Sequence, residues 1–338
     1  MKRFFKVLGG AFALVCFFVS CSTGDSGSIP QVLGSGSEAP VFLSSKAVSS
    51  REISFQFSHA VQVVSLNLEP VVAVKSISAG AMVNVVLEEA LSAGEPITAD
   101  LLVEDAAGNT LNVLVPFRAR NDNMPKLLIT ELRTEYSKPK SEFVEFKTLE
   151  AGNLGALRLF ITGNTKNPEV FEFPPVEVAA GEYIVIHLRT LDGDVGATNE
   201  TGDNLGLSGG TDALADARDF WVPGTGKLLH KTDVVYFMDQ DDKVIDAVMI
   251  SEKSDAQWSK DYFIAAADLL HKQNAWIAAD GGIPGPQDAV SSANIKTSLT
   301  RSISRDETVS DTNSAANWYI TANSGVTPGE SNNPRRFE

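Results

Sequence analysis

Between Val41 and residue 120, apolar side chains recur at every second position. The series runs Ile53, Phe55, Phe57, then Val61 and Val63, then Val83, Val85, Leu87, then Ile97, Ala99, Leu101, Val103, and last Leu111, Val113, Val115. Successive side chains of an extended chain point to opposite faces, so this spacing gathers the apolar residues of each segment on one side and fits half-buried strands rather than helices. The segments are short and are split by clusters of Gly, Pro, Asn and Ser. The stretch Glu104-Asp-Ala-Ala-Gly-Asn-Thr110 supplies a Gly-Asn hairpin signal between two of them. Alternation with turn signals at this spacing predicts a β-sandwich.

The ends of the chain set its context. Lys2, Arg3 and Lys6 precede an apolar run from Val7 to Val19, which is too short for a stable membrane span and reads as an export signal over residues 1–20. Phe18-Val19-Ser20-Cys21 resembles the lipobox of bacterial lipoproteins, with Phe where Leu or Val is usual. The resemblance implies a diacylated, palmitate-type anchor on Cys21. Residues 21–40 are rich in Gly and Ser and form a tether with an r.m.s. reach of about 25 Å. The two cysteines are Cys16, inside the signal, and Cys21, so the mature chain has no disulfide, thiol nucleophile or cysteine metal ligand. Removing residues 1–20 takes away three cations and no acid, which moves the formal charge from −15 to −18. A surface of that sign repels phosphate backbones, and no nucleic-acid partner is expected.

Residues 41–120 resemble a bacterial Ig-like module. The polar stretch Arg118-Ala-Arg-Asn-Asp-Asn-Met-Pro125 reads as a linker. Beyond it, Leu128-Ile-Thr-Glu-Leu132, Glu142-Phe-Val-Glu-Phe146, Phe171-Glu-Phe-Pro174 and Ala180-Gly-Glu-Tyr-Ile-Val-Ile186 follow in order. Asp233-Val-Val-Tyr-Phe-Met-Asp239, Val244-Ile-Asp-Ala-Val248, Ser298-Leu-Thr-Arg301, Asn317-Trp318 and Thr327-Pro-Gly-Glu-Ser-Asn332 complete the series. Together they resemble the lamin tail domain over residues 126–333. The resemblance implies a second Ig-like sandwich, structural roles for Glu131, Glu145, Asp246, Arg301, Trp318, Pro328 and Gly329, and a binding or tethering module. The expected fold class is therefore all-β, two Ig-like β-sandwich domains in tandem, the second with a short helical insertion. Two inserts depart from the family pattern, at 189–228 and 251–296. In the second, Trp258, Tyr262, Ala266 and Leu269 fall on one helical face behind a Ser254/Gln257 capping box.

The chemistry is sparse. In Ser141-Glu-Phe-Val-Glu-Phe146 the two glutamates are three apart, so a strand sends them to opposite faces and they cannot form one acid/base pair. The expectation is a strand with one wet face, and Glu145 as a structural hydrogen-bond acceptor. Gly206-Leu-Ser-Gly-Gly210 matches a nucleophile elbow in form, with Asp246 and His271 in hydrolase order, but polar loop precedes it where a buried strand is required. Gly224-Thr-Gly-Lys227 fails as a phosphate loop, since Leu228 stands where Ser or Thr would hold magnesium. His59, His187, His230 and His271 have no metal-ligand spacing. Calcium is the one cofactor considered, at the acidic loops Asp192, Asp194, Asn199, Glu200, Asp203, Asn204 and Asp239, Asp241, Asp242. The second lacks the EF-hand's Gly at position six and Glu at twelve.

Signal, tether and two sandwiches leave no room for a catalytic domain. The expected function is a non-enzymatic protein held on the bacterial cell envelope by its lipid, on an outer-membrane, periplasmic or surface face, binding a protein or glycan partner through loops. A hydrolase or nuclease built from the two inserts, and a calcium- or carbohydrate-binding lectin-like protein, are the alternatives. Acids perturbed by burial in the inserts would favour the enzyme. Metabolic labelling with a fatty acid tests the anchor: the label is expected on the wild type and absent from Cys21→Ala.

Overall fold

The computed structural model describes residues 38–191 and 196–337. The expected signal peptide, Cys21, most of the tether, Asp192 and Asp194 lie outside the described residues. The chain is all-β, two Ig-like sandwiches in tandem, with one α-helix among the described residues.

The first sandwich contains β1 (Phe42–Ser49), β2 (Glu52–Glu69), β3 (Val74–Ile77), β4 (Gly80–Leu87), β5 (Pro96–Asp105) and β6 (Thr110–Arg118). Its strands run in the order β3-β4-β2-β5-β6, with β1 on β2. The long β2 serves two halves: its start pairs with β1 and β4, its end with β5. The halves close on a core of Phe55, Phe57, Val85, Leu101 and their neighbours, and Phe117 of β6 meets the Phe55 ring edge-on at 6.4 Å. The Gly-Asn turn forms as expected, with Asp105 Oδ1 accepting from the amides of Ala107 and Asn109.

The second sandwich contains β7 (Leu127–Arg133), β8 (Phe143–Thr148), β9 (Gly152–Asn153), β10 (Arg158–Ile161), β11 (Glu169–Glu172), β12 (Glu177–Val178) and β13 (Tyr183–His187). It continues through β14 (Arg218–Trp221), β15 (Asp233–Met238), β16 (Val244–Ser251), helix α1 (Asp261–Lys272), β17 (Val290–Ser291), β18 (Ile303–Arg305) and β19 (Trp318–Ile320). One sheet is ordered β14-β13-β8-β7-β18-β19, the other β11-β10-β15-β16-β17, with β9 and β12 paired apart. Between them Phe146, Phe173, Phe220 and Phe237 pack edge to face, with centroids 4.9–5.7 Å apart for Phe146–Phe237, Phe173–Phe220 and Phe146–Phe173.

The residues expected to link the domains are clamped. Ala119 and Asn121 are buried. Asn121 Nδ2 donates to the carbonyls of Asn153 and Gly155, and Gln240 bonds the backbone of both Ala119 and Asn121. Gly94 and Gly155 approach so closely that a Cβ on Gly94 would lie 2.6 Å from the Gly155 carbonyl carbon.

Both inserts clad the second sandwich. Residues 218–221 add β14 in parallel beside β13. Residues 196–217 are bonded across the outer face of that sheet: Glu200 accepts from the amides of Ser208 (2.9 Å) and Asp219 (2.8 Å), and Ser208 Oγ accepts from Trp221 Nε1 (2.9 Å). The second insert covers the other sheet, and α1 packs on β15. The helix begins later than expected, with Lys260 as an N-cap without a side-chain bond, and the expected capping box at Ser254 and Gln257 lies ahead of it. Its buried face is Phe263, Ala266, Ala267 and Leu270, so Ala266 is on it, Leu269 borders it and Tyr262 is exposed. Trp258 precedes the helix, buried against Phe263, its Nε1 donating to the Pro284 carbonyl (2.9 Å).

Trp258→Ala is therefore expected to destabilise the chain by about 3–5 kcal/mol, as deletion of a buried indole does, and Tyr262→Ala by about 1 kcal/mol or less. Denaturant unfolding of the two variants measures the difference; equal losses would restore the original helical face.

Candidate functional site

The expectation of a wet face on Ser141-Glu-Phe-Val-Glu-Phe146 is overturned, because all six residues are buried. Glu142 pairs through both oxygens with the Arg189 guanidinium, with Nε–Oε2 at 2.6 Å. Arg189 in turn lies 4.0 Å from the Tyr136 ring centroid. Glu145 goes elsewhere, as two faces require, but it does meet a carboxylate. It lies opposite Glu131 in the β7–β8 ladder. Thr130 Oγ1 donates to Glu145 Oε1 (2.6 Å) and the Gly329 amide to its Oε2 (2.6 Å). Ser302 Oγ, Ser304 Oγ and the Thr327 amide donate to Glu131.

Burial raises the Glu131 carboxyl to about 7, against hydrogen bonds that lower it, and burial together with the Glu131 charge raises Glu145. Gly329, at φ +87, sits where the chain's last segment meets the 196–217 cladding, and a Cβ there would lie 2.8 Å from that of Ala217. Asp246 accepts from the Ile129 amide (2.6 Å) and Arg305 Nη2 (2.7 Å), and burial raises it to about 6 although Arg305 pulls it down. Trp318 lies under the Arg305 guanidinium at 4.6 Å. Arg301 bonds Asn323 and the Asn294 carbonyl and covers the Phe337 ring. Pro328 lies between the two residues whose amides reach the glutamates. Glu131, Glu145 and Asp246 stand on β7, β8 and β16.

The structure also brings together three residues that sequence spacing did not connect. Ser141 Oγ is 3.4 Å from His187 Nδ1, and His187 Nε2 is 2.8 Å from Asp219 Oδ1. All three are sealed, and Trp221 stacks on the imidazole at 4.0 Å. Nothing local marked them, since His187 ends β13, Asp219 lies in β14 and Ser141 precedes β8. Ser208, Asp246 and His271 are not assembled: Ser208 holds Trp221, Asp246 holds Arg305, and His271 sits in the last turn of α1.

Most of the acids considered for calcium are engaged. Asn199 Oδ1 accepts from the Trp221 amide, and Glu200 is wholly inside. Asp203 and Asn204 are exposed, with Asn204 Oδ1 capping the Gly206 amide. Asp239 Oδ1 closes its own turn by accepting from the amides of Asp241 and Lys243. Asp241 pairs with Lys46 (2.9 Å) and Arg120 (2.8 Å), and Asp242 with Arg158 (2.7 Å).

A groove of about 390 Å³ between the sandwiches is lined by Lys46, Arg118, Arg120 and Arg158, each held by a carboxylate at 2.9 Å or less. The cleft beside α1 is different. One part, about 430 Å³, is lined by Glu135, Lys227, His230, Lys231, Glu252 and Tyr262. The other, about 300 Å³, is lined by Thr162, Tyr236, Tyr262, Ala265, Ala266 and Leu269. Tyr262 is a wall of both. Lys227 and Lys231 stand 3.5 and 3.8 Å from Glu135 Oε1, beyond hydrogen-bond length, and that oxygen is buried with no hydrogen-bond partner. The Thr162 hydroxyl is likewise buried without one in bonding geometry, although the Tyr236 phenol lies near enough to feel it.

The fold and these sites define a tandem-sandwich protein with an insert-walled cleft. Residues 125–320 match the family described as "TP_1001_2nd: protein second domain", and the chain belongs to this family. An "Uncharacterized protein" of Treponema pallidum (strain Nichols) is 29% identical over 193 residues, covering 54% of this chain and 47% of that protein. The chain thus spans about half the length of this curated relative. No solved structure matches it.

Glu131 supplies a pH test. Its folded value, about 7, exceeds its ordinary 4.5, so the stability it confers is complete below 4.5 and is lost as pH rises through 7. Relative to wild type, Glu131→Gln is expected to gain on the order of 3 kcal/mol between pH 5 and pH 8. Comparing the pair at each pH cancels the contribution of Asp246. A difference that does not change with pH means that Glu131 ionises inside the fold at no cost.

Proposed function

We propose that this chain is a non-enzymatic binding protein of a bacterial cell envelope, anchored by a lipid on Cys21, with a lamin-tail-like second sandwich as its scaffold. The observation that carries the binding role is the cleft beside Tyr262, where Lys227 and Lys231 stand 3.5 and 3.8 Å from Glu135 without closing a hydrogen bond and an apolar recess adjoins them. Convergent polar groups beside an apolar recess are the usual form of a small-molecule site. The residues of the lamin tail resemblance support a scaffold role, since Glu131, Glu145 and Gly329 meet in one closure.

A second reading, a hydrolase, is favoured by Ser141, His187 and Asp219. Its cost is access, because a nucleophile must reach its substrate and Trp221 covers the imidazole. Labelling by a fluorophosphonate that Ser141→Ala abolishes would establish it.

Thermal-shift screening of the full chain in detergent micelles, against amino acids, sugars, nucleotides and fatty acids, tests the binding reading. At least one class is expected to raise the melting temperature of wild type and not of Lys231→Gln, and to be recovered chemically unchanged by mass spectrometry. A ligand recovered as product would make the protein an enzyme.

A further inference from the structure

We infer that the cleft beside Tyr262 takes an apolar monocarboxylate, a free straight-chain acid whose carboxylate meets the 227–231 turn and whose tail lies along α1. The inference rests on the cleft being a binding site, and three features of the cleft carry it.

The first is a pair of accessible ammonium groups that close no hydrogen bond. Lys227 and Lys231 keep 39% and 18% of their side-chain surface exposed, and the carboxylates near them stand off, Lys227–Glu135 at 3.5 Å and Lys231–Glu135 and Lys231–Glu252 at 3.8 Å. Lysine pairs elsewhere in the chain close, Lys46–Asp241 and Lys140–Asp212 at 2.9 Å, Lys147–Glu307 at 3.0 Å and Lys272–Asp268 at 2.6 Å. An ammonium has three donors and no acceptor. Those of Lys227 and Lys231 are available to an acceptor that enters the cleft, and a charged acceptor would close to about 2.7–2.9 Å.

The second is the balance of charge. The Glu135 oxygen nearest the lysines is buried beneath them, so it sets the charge of the cleft without meeting a ligand. One carboxylate under two ammoniums leaves one positive charge in excess. Glu252 on the rim is 52% exposed, and water weakens its pull. Asp233, beside His230, already accepts from the amides of His230, Gly163 and Val234 and offers no open acceptor. A monoanion cancels the excess, a dianion reverses it, and an ammonium is repelled by it.

The third is the recess of about 300 Å³ between Tyr236 of β15 and Ala265, Ala266 and Leu269 of α1. Tyr262 borders both parts of the cleft, and the neighbours Thr162 and Gly163 line one part each, so the recess adjoins the lysines. An apolar tail seated there favours binding in proportion to the area it buries, roughly fourfold in affinity for each methylene. A free acid brings one tail to this one recess, whereas a membrane phospholipid brings two.

Calorimetric titration of the full chain in detergent micelles tests the inference, with the heat of each probe entering protein-free micelles subtracted. The probes are hexanoate, octanoate, 1-octanol, octylammonium, inorganic phosphate and glucose. Octanoate is expected to bind saturably, hexanoate about fifteenfold more weakly for its two missing methylenes, and 1-octanol and octylammonium at least tenfold more weakly than octanoate. Lys231→Gln removes a contact to the carboxylate, and Ala265→Leu fills the recess from an exposed helical position. Each should weaken octanoate at least tenfold while the melting temperature without ligand is unchanged. 1-Octanol or octylammonium binding as tightly as octanoate overturns the carboxylate, hexanoate binding as tightly overturns the seat for the tail, and octanoate binding that both variants retain overturns the site. Phosphate or glucose binding that depends on Lys231, with no response to octanoate, overturns the ligand class and leaves the binding reading standing. No response to any probe overturns both.

Discussion

The second sandwich depends on one buried ion pair between its sheets. Arg305, at the end of β18, reaches Asp246 on β16 of the facing sheet (2.7 Å). The two then hold Ile129 of β7 between them: its amide donates to Asp246 and its carbonyl accepts from Arg305 Nε, each at 2.6 Å. A register shift in the β7–β8 ladder lies between Ile129 and Glu131, and the recorded β7–β18 pairing stops at Glu131. The clasp therefore supplies hydrogen bonds where the ladder ends. Two charges out of water are costly, and losing one partner of such a pair costs about 3–5 kcal/mol. Asp311 at 2.6 Å and the Trp318 ring complete the guanidinium's surroundings.

Past that irregularity, Glu131 comes level with Glu145, and Ser304 stands beside Glu131 on the next strand. With Asp219, and interrupted by Val185, they form a largely polar row on the outer face of the sheet. Such a row is ordinarily wet. Here the 196–217 segment and the chain's last segment cover it, and each buried acid is met by an amide, a hydroxyl or an arginine. The other sheet is covered by α1 and by Trp258 and Trp276, but less completely. Where the helical cover meets the 227–231 turn, Lys227 and Lys231 stand 3.5 and 3.8 Å from Glu135 beside an open cleft. Closed packing and the candidate site are two outcomes of the same cladding.

Much of the fold is legible in period-two alternation, because Ile53, Phe55, Phe57, Val83, Val85 and Leu87 are all buried where the pattern puts them. The same pattern misled at Glu142 and Glu145. Alternation shows which side chains share a face but cannot show that a distant segment will roof that face. The helix was recognisable, while its start was not, since Trp258 fits the helical spacing yet packs ahead of it. Glu131 and Glu145 stood out, but as members of a motif. Their meeting depends on strand pairing, as does that of Ser141, His187 and Asp219. The cleft was not visible at all: Lys227 drew notice only as part of a failed phosphate loop, and Glu135 and Thr162 bear no local signal.

The Thr327 amide reaches Glu131 across 196 positions of sequence, and the Gly329 amide reaches Glu145 across 184. A chain made from its N-terminus has both glutamates long before it has the segment that covers them. Until then the two carboxyls stay hydrated and ionised, and the face they occupy stays open. Closure of the second sandwich is therefore a late event that awaits synthesis of residues 327–329, and contacts this distant in sequence form slowly. If the chain is exported before residues 327–329 have paired with the two glutamates, the domain is completed only on the far side.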